Sequence, residues 1–288
     1  MIMLMRINRE DDFEEIAAVS NLDIPSLPVI AARVIGILGK ELMNAEELAE
    51  VISHDPSFTS RVLKVANSPY FCRGDSVSSV DEAIMHVGLE TVNDIVVMAA
   101  LKDIRRESDD INMGLWGHST SVAVASRLIA LELKSGRQGE HFIHGLLHDI
   151  GKTAMNINFK EKYAAVVDEV RSSGRPFEDV EFSAFGFAHS GIGDYVAKKW
   201  HLPVEIRSVI SMHHLAASEI AGNEHAFDVM LVKAADYICS ELKIGIGDNF
   251  GLMEKDLAFV GLTKSSQLER LMEKVKEEYP KYESFMLD

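Results

Sequence analysis

The spacing of apolar residues predicts helices along almost the whole chain. In the clearest case the apolar positions follow the i, i+4, i+7, i+8 spacing of one helix face, at Ile30, Val34, Ile37 and Leu38. Ser26-Leu27-Pro28 comes just before them, where a serine cap and a first-turn proline favour a helix start, and Gly39 marks its end. We find no strand-like alternation of apolar and polar residues and no internal repeat. The pattern therefore predicts an all-α fold.

Cap and turn signals divide the first hundred residues into further helices. Asn44-Ala45-Glu46-Glu47 is typical of a helix start, and His54-Asp55-Pro56 predicts the end of that helix, because proline restricts the residue before it. The next helix is predicted to end at Asn67-Ser68-Pro69. Ser79 is predicted to cap another helix, which Gly88 separates from a long apolar one.

The rest of the chain predicts further helices and a boundary. Polar residues from Glu107 to Asp110 indicate a division between two lobes. Helices are predicted at 122–133, 142–148 and 161–170, with a turn at 174–176, a segment at 184–188 leading into a helix at His189, and a break at 202–203. A short polar helix is predicted at 9–15. The last helix is predicted to begin near Ser266 and is interpreted as a packing or homo-oligomer helix.

Charge and cysteine content limit the possible binding partners and the cellular compartment. The 288 residues carry a net charge of −16, from 29 basic and 45 acidic side chains. Such a field repels nucleic-acid phosphates and anionic membrane surfaces, and no apolar run reaches the roughly eighteen residues of a membrane span. Cys72 and Cys239 lie far apart, which predicts a reducing cytoplasm without disulfides. We therefore expect a protein partner, or a small anion held by metal ions that reverse the field locally.

The most unusual stretch is Gly145-Leu146-Leu147-His148-Asp149, where an apolar lead-in runs directly into a histidine and a carboxylate. A buried charge needs a partner, and a divalent cation suits adjacent imidazole and carboxylate groups. If both residues are helical their side chains point about 100° apart, so they bind one ion near a helix end or face two ions. Further potential ligands lie on either side of this pair, at His118, His189, His213, His214 and Asp236.

The order of these residues resembles the HD superfamily of metal-dependent phosphohydrolases, and most of all its two-metal branch. The resemblance implies two divalent transition-metal ions bridged by Asp149, and mixed imidazole and carboxylate ligation suits Fe, Mn, Zn or Ni better than Mg. One ion would be held by His118, His148, Asp149 and Asp236, and the other by Asp149, His189, His213 and His214. Two such ions would activate a water and clamp a phosphoryl oxygen. Asp149 and Lys152 would then be catalytic, with Lys152 contacting the phosphate.

Phrases in the first hundred residues carry a second resemblance: Ile24-Pro25-Ser26-Leu27-Pro28, Asp55-Pro56 with Arg61-Val62-Leu63, Ala66-Asn67-Ser68-Pro69-Tyr70, Ala83-Ile84 and Val87-Gly88. With them the chain resembles, over about residues 20–220, the HDOD family, the HD-related output domain of bacterial signalling proteins. This implies a regulatory role and an N-terminal helical bundle packed on an HD-type helical core. Many members have lost the HD metal ligands, whereas this sequence keeps a full set. We predict an N-terminal extension at 1–19, an N-terminal lobe at 20–106, a metal-binding lobe at 107–245 and a C-terminal extension at 246–288.

Three functions differ in how well the sequence supports them. HD enzymes that hydrolyse cyclic dinucleotides carry a glutamate after the His-His pair and then Gly-Tyr-Pro, but Leu215-Ala216-Ala217-Ser218 follows here, which favours regulation through a signalling protein partner or a phosphorylated small ligand. The full ligand set favours the alternative, an active metal-dependent phosphohydrolase. Gly114 stands where some of those enzymes place a glutamate, so no third metal is expected there. Helices around Val87-Gly88 resemble a DNA-binding helix-turn-helix, but no arginine or lysine lies from Asp75 to Leu101.

The other histidines match no ligand position of the family. His144 lies one turn before His148, where it could join the metal cluster but is predicted to serve packing or to support a ligand. The remaining ones are predicted to be ordinary, at His54, His86, His141, His201 and His225.

Overall fold

A computed structural model describes residues 22–38, 45–69, 71–72, 76–102, 104, 109–248 and 254–283. The predicted extension at 1–19 with its polar helix, the helix end at Gly39 and the helix start at Asn44 lie outside these residues, as does part of the polar boundary at 107–110. Within the described part of the chain we find sixteen helices and no strand. The prediction of an all-α fold is confirmed.

Five helices form the N-terminal lobe: α1 (Val29–Leu38), α2 (Ala45–Ser53), α3 (Pro56–Ala66), α4 (Val80–Val87) and α5 (Leu89–Lys102). Eleven follow: α6 (Asp110–Glu132), α7 (Gln138–Leu147), α8 (Ile150–Asn158), α9 (Lys160–Ser173), α10 (Phe177–Phe185), α11 (His189–Lys199), α12 (Val204–Met212), α13 (Ala217–Ile220), α14 (Ala226–Glu241), α15 (Glu254–Phe259) and α16 (Ser265–Glu283).

The helix boundaries of the N-terminal lobe follow their local signals. Asp55 caps α3, and its side chain accepts the N–H groups of Ser57 at 2.9 Å and Phe58 at 3.3 Å, so the chain stops one helix and starts the next within two residues. Ser79 caps α4 by accepting the N–H of Glu82 at 3.2 Å. Gly88 then separates α4 from α5, as predicted.

Several helix boundaries predicted for the second half of the chain are wrong. α6 begins well before the predicted 122–133 range, because Asp109 caps it by accepting the N–H of Asn112 at 2.7 Å. α7 starts before the predicted 142–148 range and ends before His148. The 184–188 segment is divided, because α10 ends at Phe185 and Gly186 adopts a left-handed φ of 82°. The predicted turn at 174–176 and break at 202–203 are confirmed.

The two parts of the chain share one core. α5 is packed against α1, α3 and α4 and also contacts α7. In the second part α6 is central, with α7, α14 and α16 around it, while α8 packs on α11 and α11 on α12. The buried apolar residues form a single cluster that includes both parts. This is an N-terminal bundle packed on a second helical core, although the predicted domain bounds stay a prediction.

A buried ion pair links three segments of this core. Arg127 of α6 pairs with Asp94 of α5 and donates a hydrogen bond to the hydroxyl of Tyr282 in α16 at 2.9 Å. The guanidinium carbon lies 4.7 Å from the ring centroid of Phe142. Burial raises the pKa of Asp94 to about 7, although the positive charge of Arg127 opposes this shift.

No single helix in the described ranges is long and apolar enough to cross a membrane. Taken together, α4 and α5 meet the requirement by length and composition alone, with a bend of 117° between them.

Candidate metal centre

All seven predicted metal ligands converge on one buried region, although they come from five places in the chain. His118 lies in the middle of α6, and His148 and Asp149 form the junction between α7 and α8. Asp236 lies in α14. The remaining three are at the start of α11 and directly after α12, at His189, His213 and His214. The side chain of His214 is 9% exposed, and the other six are at most 2% exposed.

The carboxylate of Asp149 stands between two groups of histidines. Its Oδ2 lies 3.3 Å from Nε2 of His148, whereas its Oδ1 lies 3.4 Å from Nε2 of His189 and 3.6 Å from Nε2 of His213. Because His148 ends one helix turn and Asp149 precedes the next helix, the two side chains are not fixed by a common helix. Each oxygen therefore lies near different histidines, as a bridging ligand requires.

One side of Asp149 faces a group made of His118, His148 and Asp236, whose potential ligand atoms lie within 4.8 Å of one another. Nε2 of His118 is 2.8 Å from Oδ1 of Asp236, and the ring centroids of the two histidines are 5.6 Å apart. Imidazole nitrogen and carboxylate oxygen at this spacing are suited to a borderline divalent metal.

The other side of Asp149 faces His189, His213 and His214, and these four residues meet the same 4.8 Å limit. Nε2 of His189 is 2.9 Å from Nε2 of His214, and the rings of the vicinal pair have centroids 3.9 Å apart. Three imidazoles and one carboxylate thus lie on this side. This second group contains the four residues that the HD resemblance implies for one ion, and the first group contains three of the four that it implies for the other.

Hydrogen bonds at Nδ1 orient four of the histidine rings. Nδ1 of His148 lies 2.7 Å from the carbonyl of Gly145, and Nδ1 of His213 lies 3.0 Å from that of Ile210. In His189 and His118 the partners are a carboxylate oxygen of Glu181 at 2.7 Å and the carbonyl of Ile244 at 3.3 Å. These oxygens only accept, so each Nδ1 carries the proton, and in a neutral ring Nε2 keeps its lone pair for a metal.

Several buried polar atoms at the centre lack a hydrogen-bond partner. They are Nε2 of His148 and His213, Oδ1 of Asp149, and Oδ2 of Asp236 and Asp248. In His118 the neutral ring would also bring a lone pair against Oδ1 of Asp236, because its proton is used at Nδ1. Unpaired buried acceptors are costly, and a cation between them would remove the cost. The residues present therefore fit bound metal ions.

The charge states also suit cations. Burial raises the pKa of Asp149, but His148 and Lys152 together hold it well below its usual value. Burial lowers the pKa of His148, and it lowers the pKa of His214 strongly with the help of the neighbouring histidines. Ionised carboxylates and neutral imidazoles are the forms that bind metals. His189 differs: burial lowers its pKa, but the carboxylates of Glu181 and Asp149 together raise it above its ordinary value.

Lys152 is fully buried beside Asp149. Its Nζ lies 2.8 Å from Oδ2 of Asp149 and 3.9 Å from Oδ2 of Asp248, and it sits 4.5 Å from the ring centroid of Phe177. Burial lowers the pKa of Lys152, but the carboxylates of Asp149, Asp248 and Asp236 together raise it above its ordinary value, so the ammonium stays charged. The charge is used inside the protein to balance the carboxylates.

Two neighbours of the metal ligands were not predicted from the sequence. Glu181 of α10 accepts hydrogen bonds from the main-chain N–H of His189 at 2.8 Å and from the hydroxyl of Tyr163 at 2.8 Å, besides orienting the His189 ring. Asp248 accepts the N–H of Phe177 at 2.9 Å and lies 3.7 Å from Nε2 of His214. No spacing signal links these residues to the ligands, because they approach through tertiary packing alone.

The structure explains why a glutamate would not fit at Gly114. A Cβ at this position would lie 2.5 Å from side-chain atoms of Ile246, whose main-chain N–H bonds to the carbonyl of Gly114 at 2.9 Å. The loop before Asp248 therefore occupies the space that a longer side chain would need.

Comparison with known proteins agrees with this fold. A solved HDOD domain protein of unknown function from Geobacter sulfurreducens is 23% identical, with a TM-score of 0.79, covering 93% of this chain and 94% of that one. A protein from Shewanella amazonensis SB2B, provisionally named a phosphohydrolase, is 20% identical, with a TM-score of 0.66 and coverage of 94% and 98%. At these identities the likeness shows the fold.

Sequence comparison identifies the family. An uncharacterized protein from Treponema pallidum (strain Nichols) is 22% identical over 195 residues, which is 67% of this chain and 38% of that protein. The chain thus spans well under half of the curated relative that it matches. The family model of the HDOD domain matches residues 24–216, close to the range of the predicted resemblance. The chain belongs to the HDOD domain family.

Proposed function

We propose that this chain is a regulatory HDOD protein that retains a buried centre for two divalent transition-metal ions, Fe, Mn, Zn or Ni. The observation that carries the proposal is the position of Asp149, whose two oxygens face two separate groups of histidines. One ion is assigned to His118, His148, Asp149 and Asp236, and the other to Asp149, His189, His213 and His214. When bound, two such ions polarise phosphoryl oxygens and make hydroxide available near neutral pH.

A regulatory role is supported by how closed the centre is. The ligand side chains are almost completely buried, and Lys152 is held between Asp149 and Asp248. A lysine in this position balances internal charge, whereas a phosphate contact would require it to reach a substrate. The segment after the His-His pair also lacks the Glu and Gly-Tyr-Pro signature of the cyclic-dinucleotide enzymes. Metal binding is therefore proposed to fix the helices rather than to process a substrate.

The proposed partner is another signalling protein, which contacts the helical bundle. Large apolar side chains are exposed on the N-terminal lobe, Val29 at 71% and Met85 at 79%. Association through such residues fits a net charge of −16 better than association with nucleic acid does. A phosphorylated small ligand near the metal ions would be the alternative input.

A second candidate, a metal-dependent phosphohydrolase, is favoured by one observation. His214 is the most exposed of the seven ligands, so the ion that it holds would be the one nearest to solvent. In this case Asp149 would bridge the ions and Lys152 would have to leave its carboxylates to meet the phosphate. The sequence alone kept this alternative open, and the burial of Lys152 makes it the weaker one.

A hydrolysis assay separates the two candidates. Metal-loaded native protein and its Lys152→Met variant are tested on bis-p-nitrophenyl phosphate and on p-nitrophenyl phosphate with Fe, Mn, Zn or Ni. The regulatory proposal predicts bound metal in the native protein and hydrolysis no faster than with Asp149→Ala protein incubated with the same metal ions. Turnover that requires both Asp149 and Lys152 would replace it with the enzymatic function.

A further inference from the structure

A second histidine cluster lies outside the metal centre described above. It consists of His141 and His144 of α7 and Asp228 in the first turn of α14, all buried. One potential ligand atom from each residue lies within 4.8 Å of those of the other two. Residues three apart in a helix share a face, so both histidines of α7 point toward α14. The ring centroids of the two histidines are 5.6 Å apart.

The cluster is separate from the first centre but lies on the same two helices. His144 lies in α7 and His148 directly follows the end of this helix, while Asp228 and Asp236 both lie in α14. At a rise of about 1.5 Å per residue, Asp228 and Asp236 are about 12 Å apart along α14. The distance is too large for the two sites to share a ligand.

Hydrogen bonding within the protein leaves this cluster incomplete. Nδ1 of His141 donates to the carbonyl of Arg137 at 2.7 Å, which leaves Nε2 facing Oδ1 of Asp228 at 3.0 Å. Nδ1 of His144 is buried without a hydrogen-bond partner. Burial lowers the pKa of His144 to about 3, so this ring is neutral at pH 7. An unpaired nitrogen of a neutral, buried imidazole is unfavourable, and a cation bound between it and the neighbouring carboxylate would satisfy both groups.

Arg137 pairs with Asp228 and would compete with a bound cation for this carboxylate. Its Nη1 lies 3.0 Å from Oδ1 and 3.3 Å from Oδ2 of Asp228, and its Nε donates to Glu140 at 2.7 Å. The Arg137 side chain is 40% exposed, so it can move away while keeping its bond to Glu140. It balances the charge of Asp228 but does not reach His144 through a hydrogen bond in the described structure.

We propose that His141, His144 and Asp228 bind one Zn²⁺ ion, with a non-protein ligand at the fourth position. Two imidazoles and one carboxylate are a ligand set that Zn²⁺ accepts readily, and three protein ligands leave one tetrahedral position open. The ion would connect α7 to α14 at the level next to His148 and Asp236. Its role is to hold these two helices in register, so that the ligands of the first centre stay aligned.

The test is Zn²⁺ titration of chelator-treated protein against a chromophoric competitor. To isolate the site, the titration is repeated in an Asp149→Asn, His213→Ala background, which removes ligands of the first centre only. One Zn²⁺ per chain is expected in this background, and adding His144→Ala or Asp228→Asn is expected to weaken it at least about tenfold. His86→Ala, at an exposed histidine of the N-terminal lobe, is the matched control and leaves the titration unchanged.

Arg137→Gln distinguishes a metal site from a merely structural cluster. Removal of the competing guanidinium is expected to tighten Zn²⁺ binding, whereas a cluster that only supports packing would show no Zn²⁺-dependent change. Co²⁺ in place of Zn²⁺ is expected to give the visible absorption of a tetrahedral site, which His144→Ala removes.

The outcomes separate this proposal from the one for the first centre. Two results would overturn the proposal of a zinc site at His144. One is Zn²⁺ binding that is unchanged by His144→Ala and Asp228→Asn. The other is no Zn²⁺ binding in the background variant together with no ion lost from native protein on His144→Ala. If the background variant does not fold by circular dichroism, the ion lost from native protein on His144→Ala decides the question. If His144→Ala loses an ion but Asp149→Ala has the same metal content as the native protein, the result would support this site and refute the first centre.

Discussion

The crossing of α8 and α11 allows a sharp test, because it depends on the absence of one side chain. A Cβ on Gly151 would lie 1.9 Å from the carbonyl oxygen of His189 and 2.7 Å from the main-chain nitrogen of Gly193. Both contacts are with backbone, so no rotamer change can relieve them. Gly151→Ala must therefore move α8 and α11 apart.

The size of the effect follows from this contact. A carbon and an oxygen without a bond between them need about 3.3 Å, so the two helices must separate locally by about 1.4 Å. Overpacking of this kind costs about 1–3 kcal/mol, and a backbone target that cannot rotate away places Gly151→Ala near 3 kcal/mol. The same movement carries the ring of His189 away from Asp149, now 3.4 Å from it, and is expected to weaken the metal held on that side.

Urea denaturation followed by circular dichroism, with a chelator present, measures the first effect. Gly36→Ala is the matched control, because Gly36 is exposed in α1 and a Cβ there would meet nothing within 4 Å. Helix propensity predicts that Gly36→Ala is neutral or stabilises by up to about 1 kcal/mol. A Gly151→Ala variant within about 0.5 kcal/mol of the native protein would refute the close crossing and the reasoning built on it.

Three further predictions follow from buried groups. Arg127→Met is expected to cost about 3–5 kcal/mol of unfolding free energy at pH 8, because it leaves the buried carboxylate of Asp94 without its arginine. The pKa of Asp94 is raised to about 7 in the native protein and rises further in the variant. The folded variant therefore takes up a proton on acidification, and urea melts should show a smaller loss of stability at pH 5. Burial raises the pKa of the Cys239 thiol. A folded Cys72→Ser variant, in which Cys239 is the remaining cysteine, should therefore not react with a thiol reagent at pH 8 until it is unfolded. Rapid reaction of the folded variant would contradict the buried position of Cys239. Glu181→Gln removes the carboxylate that orients the first histidine of α11 and should weaken metal binding about 10–100-fold in a competition titration, whereas unchanged affinity would mean that the ring needs no such partner.

The fold was predictable where the signal is local. Ser79 and Asp55 cap helices through their own side chains, and Gly88 separates two helices at the predicted position. The bounds of α7 were less predictable, because its first turn carries polar residues that only packing makes helical. α8 has a glycine, a threonine and two asparagines in nine residues, so its helicity depends on contact with α11 rather than on propensity.

The candidate site shows the same division. His148 and Asp149 stood out because two polar groups follow an apolar run, and the family order then indicated the other ligands. Glu181 and Asp248 had no such signal, since they reach the centre only through the folding of α10 and the loop after α14. The sequence predicts an ordinary role for His141, because this residue matches no ligand position of the family. Its spacing of three from His144 was the available signal that they share a helix face.

The metal content of native and Asp149→Ala protein tests the central claim most directly. Both proteins are incubated with excess Fe, Mn or Zn, freed of unbound metal and measured by elemental analysis, with Asp168→Ala as the control because Asp168 is an exposed aspartate far along α9. A bridging Asp149 predicts that Asp149→Ala holds two ions fewer per chain than the native protein, whereas Asp168→Ala holds the same number. Equal metal content in native and Asp149→Ala protein, or none in either, would contradict a dinuclear centre.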